Sequence, residues 1–285
     1  MKQILVTGAS GQVGSEIKSL ASSLVAFNFV FTNHTELDIT SAESLESFFS
    51  EQSFYAVVNC AAYTAVDKAE TEKEIAFKIN EQGAGNIAAA AAKHNCRFVH
   101  ISTDFIFDGT AHVPITEDEK PNPLSVYGLS KLKGDETVLR QNPEALILRT
   151  SWVYSSFGNN FVKTILRLCR ERDAINVIAD QTGTPTYARD LAIAIVYILQ
   201  EPEWLPGIYN YSNEGTASWY DFAIAIRDLA GLKTQINPIE TSQYPTPAVR
   251  PKFSVLNKKK VKETFGLQIP YWRHSLQECM ALLNS

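Results

Sequence analysis

The chain has 285 residues, 45% of them hydrophobic, and a formal net charge of −5. This length allows one large domain, or a large domain with a smaller one beside it. A mildly acidic chain without long basic runs offers no electrostatic basis for binding nucleic acid or an anionic membrane, so we expect neither partner.

Apolar runs and cysteines indicate the cellular location of the protein, and histidine spacing indicates whether it binds a metal. The N-terminal run ILVTG is too short for a signal peptide or a membrane span, and no later apolar run is long enough to span. The four cysteines form no CxxC pair, which predicts buried, reduced thiols. The five histidines have no ligand spacing such as HExxH, so we expect no metal site. These observations predict a cytoplasmic protein.

Short apolar strands alternate with helices over the first part of the chain. The predicted strands are residues 3–7, 25–31, a run that ends at Asn59, 97–102 and 145–150. The predicted helices run from Gln12 to about Leu24, after Ser41, within 67–95 and from about Pro123 to Gln141. Nearly continuous apolar strands need cover on both faces, which predicts an α/β fold with a doubly wound parallel sheet of Rossmann type.

The alternation loosens after Thr150. We expect residues 1–150 to form one domain and residues 151–285 to form mainly a smaller α+β domain that binds substrate, with the segment at about 175–200 returning to the first domain. In this part the sequence predicts an amphipathic helix in NNFVKTILRLCRER, a strand in AINVI, and helices in ARDLAIAIVYILQ and near 218–230, 257–265 and 272–283.

The stretch GASGQVG places Gly8, Gly11 and Gly14 between the first strand and the first helix. Glycine permits a tight turn and a close approach of the backbone to a pyrophosphate, and the helix N-terminus supplies free N–H groups. This context predicts dinucleotide binding by residues 1–150; an ordinary tight turn is the alternative.

The tip of the second strand selects between nicotinamide cofactors. An acid there favours NADH and an arginine favours NADPH, but the strand exits through Thr32, Asn33 and His34, so both NADH and NADPH remain open. Asp38 and Ile39 follow where an acid could accept a hydrogen bond from the adenine amino group.

The stretch SVYGLSKLKG places Tyr127 and Lys131 four residues apart on a predicted helix, and therefore on one face. An ammonium beside a phenol lowers the pKa of the phenol and prepares it to exchange a proton. Ser102, Thr103 and Asp104 end the fourth strand, at the sheet edge where ligands bind. A Tyr–Lys pair on an ordinary surface helix is the alternative, but the order of the motifs favours a catalytic site.

Together these motifs resemble the extended short-chain dehydrogenase/reductase family, and within it the dTDP-4-dehydrorhamnose reductase branch. The resembling pieces extend from residue 4 to about residue 251 and include GASGQVG, VVNCAAYTAVDKAE, HISTDFIFDG, VYGLSKLKGDE, LRTSWVY, DQTGTPTYARDLA and YPTPAVRP. The resemblance implies reduction of the C4 ketone of dTDP-4-dehydro-L-rhamnose, or of a closely related nucleotide ketosugar, by NADPH or NADH.

The resemblance also assigns roles to individual residues. Tyr127 would be the proton donor, Lys131 would hold the nicotinamide ribose, and Thr103 would supply the hydroxyl beside the tyrosine. Asp104, Trp152 and Arg250 would contact the substrate. The implied cofactor contacts are Gly8, Gly11, Gln12, Val13, Gly14, Asp38, Ile39, Ala62, Tyr63 and Thr64, together with Tyr127 and Lys131. Tyr63 departs from the histidine that we expect in relatives.

Several alternatives remain open from the sequence. Trp152 and Trp219 could stack on the nucleotide sugar or fill the core, and Arg250 could pair with the diphosphate or form a structural ion pair. Some relatives form metal-bridged dimers through glutamates, and Glu16 matches one of them, which makes a homodimer possible without predicting a metal. The competing functions are a cofactor-binding regulatory subunit, resembling the methionine adenosyltransferase beta subunit, and a nucleotide-sugar epimerase.

Overall fold

The computed structural model describes residues 1–284 of the chain. The strands are β1 (Lys2–Thr7), β2 (Phe27–Thr32), β3 (Ala56–Asn59), β4 (Arg97–Thr103), β5 (Ala145–Thr150), β6 (Val153–Tyr154), β7 (Ala174–Ile178), β8 (Thr182–Gly183), β9 (Thr186–Tyr187), β10 (Gly207–Asn210), β11 (Ala217–Ser218) and β12 (Gln235–Ile239). The helices are α1 (Gln12–Leu20), α2 (Ala42–Glu51), α3 (Val66–Ala69), α4 (Lys73–Phe77), α5 (Ala84–Lys93), α6 (Val126–Gln141), α7 (Phe161–Glu171), α8 (Ala188–Gln200), α9 (Trp219–Leu229), α10 (Lys259–Phe265) and α11 (Trp272–Asn284). A π-helical turn, Lys78–Gly83, joins α4 to α5.

Six strands form the main sheet, in the order β10-β5-β4-β3-β1-β2, and all neighbouring pairs are parallel. Chain order along the sheet reverses between β1 and β3. In open sheets of this kind, ligands bind in the crevice outside the carboxyl ends of the strands at that point.

Helices cover both faces of this sheet, as its apolar strands require. Ile4 and Val6 face a core completed by α1 and α8, while Leu5, between them, faces the opposite core beside α2 and α5. The alternation follows from the period of two along a strand. The prediction of a doubly wound parallel sheet is confirmed.

A second lobe forms around a separate core. The parallel pair β7 and β12 packs with α7, α9 and α11 around Phe222, Trp272 and Leu276. The chain crosses between the lobes more than once, because α8 packs on α1 and β10 extends the main sheet beside β5. The segment that we expected to return, 175–200, is divided: β7 belongs to the second lobe and α8 to the main sheet.

Two local features differ from expectation. The predicted helix within 67–95 is interrupted between α3 and α4 and again at the π-helical turn. The sixth sheet strand, β10, lies in a stretch rich in prolines and aromatic residues for which the sequence predicted no strand. None of the helices in residues 1–284 is long and apolar enough to cross a membrane.

Candidate active site

The glycine loop turns directly from β1 into α1. Gly8 has a φ of +64°, in the left-handed region that favours glycine. A Cβ on Gly14 would lie 2.6 Å from the Gly8 carbonyl oxygen, so a side chain there would force the loop away from the helix. Gly11 is the N-cap of α1 and no side chain caps this end. The first N–H groups of the helix are therefore free for an anionic group.

Two cavities meet at this loop, and Gly11, Cys60 and Ala62 line both. The glycine-loop cavity has a volume of about 540 Å³ and extends from Gly8 to the residues after β2. The central cavity has a volume of about 510 Å³ and extends past Gln12, Val13 and Thr64 toward β4. Together they follow the carboxyl ends of β1 and β3, a path that fits an extended dinucleotide.

The far end of the glycine-loop cavity contains Asn33, His34, Asp38 and Ile39. The Thr40 hydroxyl and N–H donate to Asp38 Oδ1 at 2.7 and 2.9 Å. These hydrogen bonds lower the pKa of Asp38, which keeps its carboxylate ionised as an acceptor.

Tyr127 and Thr103 line the central cavity from two neighbouring elements. Thr103 ends β4, and Tyr127 lies in the first turn of α6, whose N-cap Ser125 accepts from the Gly128 N–H at 3.1 Å. Burial raises the pKa of Tyr127 to about 12, while a hydrogen bond with Thr103 acts in the opposite direction. The phenol is thus protonated at neutral pH and can donate.

Lys131 lines the same cavity one turn further along α6 and is buried. Its Nζ donates to the Ile101 carbonyl at 2.7 Å and lies 3.3 Å from His100 Nε2. Burial lowers the pKa of Lys131 to about 8. The pKa of Tyr127 is therefore raised and not lowered as expected, because burial of the phenol is the largest effect on it.

Asp104 follows Thr103 and is almost completely buried in the cavity wall. The Thr103 hydroxyl donates to Asp104 Oδ1 at 3.1 Å. Burial raises the pKa of Asp104 to about 6. A carboxyl and a hydroxyl are therefore joined at the end of β4, beside the phenol.

Tyr63 does not line any of the three cavities described for residues 1–284. Its hydroxyl donates to Glu72 Oε2 at 2.5 Å, and this hydrogen bond raises the pKa of Tyr63 to about 12. Its backbone is held by Asn80, which accepts from the Tyr63 N–H at 2.8 Å and donates to the Tyr63 carbonyl at 3.0 Å. The Tyr63 side chain therefore points to Glu72, whereas its neighbours Ala62 and Thr64 line the central cavity, and a contact of Tyr63 with the cofactor stays a prediction.

Trp152 lines the central cavity with a φ of +47°. Its ring stacks on that of Trp219, which lines an outer cavity of about 880 Å³ between α7, β7 and residues 243–250. The Trp219 Nε1–H donates to Gln181 Oε1 at 3.2 Å. Each ring therefore packs against the other and also borders a cavity, and stacking of either ring on a nucleotide sugar stays a prediction.

Arg250 lines the outer cavity and makes a bidentate ion pair with Asp67, with N–O distances of 2.7 and 3.0 Å. This pair connects α3 to the segment YPTPAVRP. Arg250 thus forms the structural ion pair that was one of its two alternatives. Its guanidinium also borders the outer cavity.

Glu16, the residue that matched a metal ligand of relatives, is buried in α1. Its Oε1 accepts from the Ser155 hydroxyl at 2.6 Å, and Oε2 lies 3.8 Å from Arg189 Nη1. Within residues 1–284, no group of three or more potential ligands is placed to hold a metal ion.

Four residues near the site were not identified from the sequence. Thr150 lines the central cavity with a buried hydroxyl that has no hydrogen-bond partner among the described residues. Asn80, His100 and Asp135 are buried behind the cavity walls. Asp135 could have been found, because it lies four residues after Lys131 on the same helix.

The parallel sheet, the glycine loop and the hydroxyl–phenol–amine set define a nicotinamide-dependent dehydrogenase/reductase of the short-chain type. The loop fits a dinucleotide, because Gly14 lets it pack tightly against the start of α1 and no side chain caps the first N–H groups of that helix, where Gln12 and Val13 line the central cavity.

Comparisons with known proteins identify the branch. The model of the RmlD substrate binding domain family matches residues 1–285. A dTDP-4-dehydrorhamnose reductase of Aggregatibacter actinomycetemcomitans is 39% identical over 99% of this chain and 99% of its own length. Its counterpart in Salmonella typhimurium is 41% identical over 94% of each chain. The chain belongs to the dTDP-4-dehydrorhamnose reductase family.

Solved structures agree with this family. A dTDP-4-dehydrorhamnose reductase from Clostridium acetobutylicum has 42% identity, covers 99% of this chain and 100% of its own, and superposes with a TM-score of 0.94. The reductase from Bacillus anthracis, solved in complex with NADP, has 36% identity, the same coverage and a TM-score of 0.95.

Proposed function

We infer that the chain is an NAD(P)H-dependent reductase that converts the C4 ketone of dTDP-4-dehydro-L-rhamnose, or of a closely related nucleotide ketosugar, to the alcohol. The product would be dTDP-L-rhamnose, a precursor of cell-surface polysaccharide. The observation that carries this inference is the convergence of Tyr127, Thr103 and Lys131 on one cavity that continues into the glycine-loop crevice.

The cofactor residues divide between the two cavities. The N–H groups of Gln12 and Val13 would hold the pyrophosphate at the N-terminus of α1, beside Gly11, whose own N–H donates to the Gly8 carbonyl at 2.9 Å. Asp38 and Ile39 would contact the adenine end, and Ala62 and Thr64 would lie along the nicotinamide half. Both NADH and NADPH fit this arrangement, because neither an acid nor an arginine stands at the tip of β2.

A bound reduced nicotinamide would supply the hydride for the ketone carbon. The Thr103 hydroxyl, after exchanging its contact with Asp104 for the ketone oxygen, would hold that oxygen beside Tyr127, whose phenol would donate its proton as negative charge develops there. Lys131 offsets the negative charge left on the phenol. The ketone thus gains one hydride and one proton, and becomes an alcohol.

The substrate would extend from the central cavity into the outer cavity. The sugar would lie beside Asp104 and Trp152, and the nucleotide would occupy the outer cavity beside Trp219. Arg250 would pair with the diphosphate after exchanging its contact with Asp67.

Replacing the phenol tests the function directly. Tyr127→Phe should lose about 10²–10⁴ in kcat with dTDP-4-dehydro-L-rhamnose, as expected for loss of proton transfer, and should keep its Kd for NADPH. Tyr197→Phe, on the exposed face of α8, is the matched control and should be unchanged. Near-wild-type turnover by Tyr127→Phe would refute the assignment.

The wild-type protein distinguishes the competing functions. Binding of NADPH without turnover of any nucleotide ketosugar would favour a regulatory subunit. Cofactor that stays bound through purification, with interconversion of two sugars, would favour an epimerase.

We further propose a cytoplasmic location, which the four free cysteines support because thiols persist in a reducing compartment. A homodimer remains a prediction, and light scattering of the purified protein tests it.

A further inference from the structure

A buried polar cluster lies behind Lys131 and lines none of the three cavities described for residues 1–284. His100 is 1% exposed and Asp135 is 2% exposed. His100 Nε2 lies 3.3 Å from Lys131 Nζ and 3.7 Å from Asp135 Oδ1. Buried groups of this kind need partners, because burial penalises a charge strongly.

The protonation of His100 follows from its other neighbour. Asn59 Oδ1 accepts from the Thr7 hydroxyl at 2.7 Å and from the Ala61 N–H at 3.3 Å. The Asn59 amide group, 3.0 Å from His100 Nδ1, must then donate to that nitrogen. The imidazole is neutral, as burial also lowers its pKa far below the ordinary value, and its proton lies on Nε2.

The Nε2–H can donate only to a group with a lone pair. A protonated Lys131 has none, whereas Asp135 Oδ1 is an acceptor without a hydrogen-bond partner among the described residues. The other oxygen, Asp135 Oδ2, accepts from the Ser102 hydroxyl at 2.7 Å. The carboxylate is therefore fixed by Ser102 and faced by His100, one helical turn beyond Lys131.

We propose that Asp135 is a positioning residue of the reductase: its buried carboxylate keeps the amine of Lys131 in the ammonium form that the reaction needs. The proposal rests on the role of Lys131 in the proposed function. Asp135 touches neither cavity, so it acts only through Lys131 and is not itself catalytic.

Other ionisable side chains also lie near Lys131 and Asp135. Cys60 faces Lys131 from the end of β3, and burial raises the pKa of its thiol to about 12, so it is neutral. Arg149 on β5 lies 3.9 Å from Asp135 Oδ2 and bonds the Glu117 carbonyl at 3.1 Å. With His100 also neutral, Asp135 is the acidic group that raises the pKa of Lys131 against the effect of burial. Burial raises the pKa of Asp135 itself, while Lys131, the Ser102 hydrogen bond and Arg149 act in the opposite direction and favour its carboxylate form.

The pH profile of kcat/KM tests the proposal. Activity should fall above the pKa of Lys131, since the neutral amine cannot offset a phenolate. Asp135→Asn removes the anion, so the high-pH limb of the profile should move to lower pH by about one unit. At any pH above the limbs of both proteins, kcat/KM of the variant should then be about tenfold lower than that of the wild type. Asp135→Glu should restore the wild-type limb, because it restores the charge.

Ser102→Ala is the structural control. It removes a hydrogen bond to Asp135 and keeps the carboxylate, so it should lower the melting temperature and leave the limb in place. A limb at the wild-type pH in Asp135→Asn, with only a lower melting temperature, would overturn the proposal. Asp135→Ser, which also removes the charge and needs less space, replaces the Asn variant if that variant does not fold.

A binding measurement separates this proposal from the reductase assignment. The affinity for NADPH should fall as Lys131 loses its proton. This fall should occur at lower pH in Asp135→Asn than in the wild type. If the wild type fails to reduce the ketosugar, the proposed function is wrong and this titration still reports on Asp135. If turnover occurs and the two Kd profiles coincide, only the role of Asp135 is refuted.

Discussion

The rings of Trp152 and Trp219 lie face to face, with their centroids 3.5 Å apart and their planes 6° apart. Trp152 follows β5 and borders the central cavity, while Trp219 begins α9 and borders the outer cavity. The stacked pair therefore forms the wall between the two cavities and joins the two lobes. A nucleotide sugar that occupies both cavities must pass the edge of this pair.

Truncation of the outer ring should weaken substrate binding selectively. Trp219→Ala removes the ring that would stack on the nucleotide in the outer cavity, an aromatic contact worth about 0.5–1.5 kcal/mol, so KM for the nucleotide ketosugar should rise about twofold to twelvefold. The Kd for NADPH should not change, because Trp219 does not line the glycine-loop or central cavity. Steady-state kinetics and a fluorescence titration of NADPH measure the two effects.

Trp204→Phe is the control for the tryptophan variant, because the Trp204 indole bonds the Glu144 carbonyl at 2.7 Å, away from the cavities. Equal losses of substrate and cofactor affinity in Trp219→Ala would instead indicate a general loss of structure.

Asp104 should make the stability of the protein depend on pH. Burial raises its pKa from 3.8 to about 6, so between these values the folded state binds more protons than the unfolded state. Its contribution to the free energy of unfolding is therefore fully present below pH 3.8 and is lost as the pH rises through about 6, by up to about 3 kcal/mol.

Urea unfolding of the wild type and of Asp104→Asn between pH 4 and 7 measures this contribution. The wild type should lose stability relative to the variant across that range, because the amide does not titrate. Parallel curves would show that Asp104 ionises in the folded protein as it does in the unfolded chain.

Gly134 should be required for the close packing of α6. A Cβ there would lie 2.0 Å from the carbonyl oxygen of Asn80, in the π-helical turn. Gly134→Ala must move the helix that carries Tyr127 and Lys131, and should cost about 1–3 kcal/mol in the free energy of unfolding together with a loss of kcat.

Lys133→Ala changes the neighbouring position on α6, where the side chain is exposed and pairs only with Glu136 on the surface. Its free energy of unfolding should stay within about 0.5 kcal/mol of the wild type. An equally stable and active Gly134→Ala would mean that the two helices can separate without disturbing the site.

The sequence predicted the parts of the fold that depend on local pattern. The strand at 145–150 is found at the predicted residues because ALILRT is apolar throughout and buried on both faces. β10 was missed because its four residues lie among prolines and aromatic residues, and only pairing with β5 makes them a strand. Long-range pairing of this kind leaves little trace in the local sequence.

The same limit applies to the site. The sequence identified Tyr127, Lys131 and Thr103 as site residues. A spacing of four places two side chains on one face of a helix, and the end of a parallel strand places a residue at the ligand-binding edge of the sheet. The direction of the Tyr63 side chain could not be predicted in this way, because its hydrogen bond to Glu72 depends on how the chain turns between α3 and α4. The pKa of Tyr127 was expected to fall and instead rises, because burial of a side chain is a property of the assembled fold and not of its helical neighbours.

The position of β10 has a consequence for synthesis of the chain. The chain emerges from the ribosome from its N-terminus onward, and the outer edge of β5 gains its neighbouring strand only when residues 207–210 emerge. Until then a nascent chain that has completed the first five strands would expose an unpaired parallel edge, without α8 to cover the adjacent face. A fragment cut after residue 150 would keep that open edge permanently, and would tend to aggregate through it.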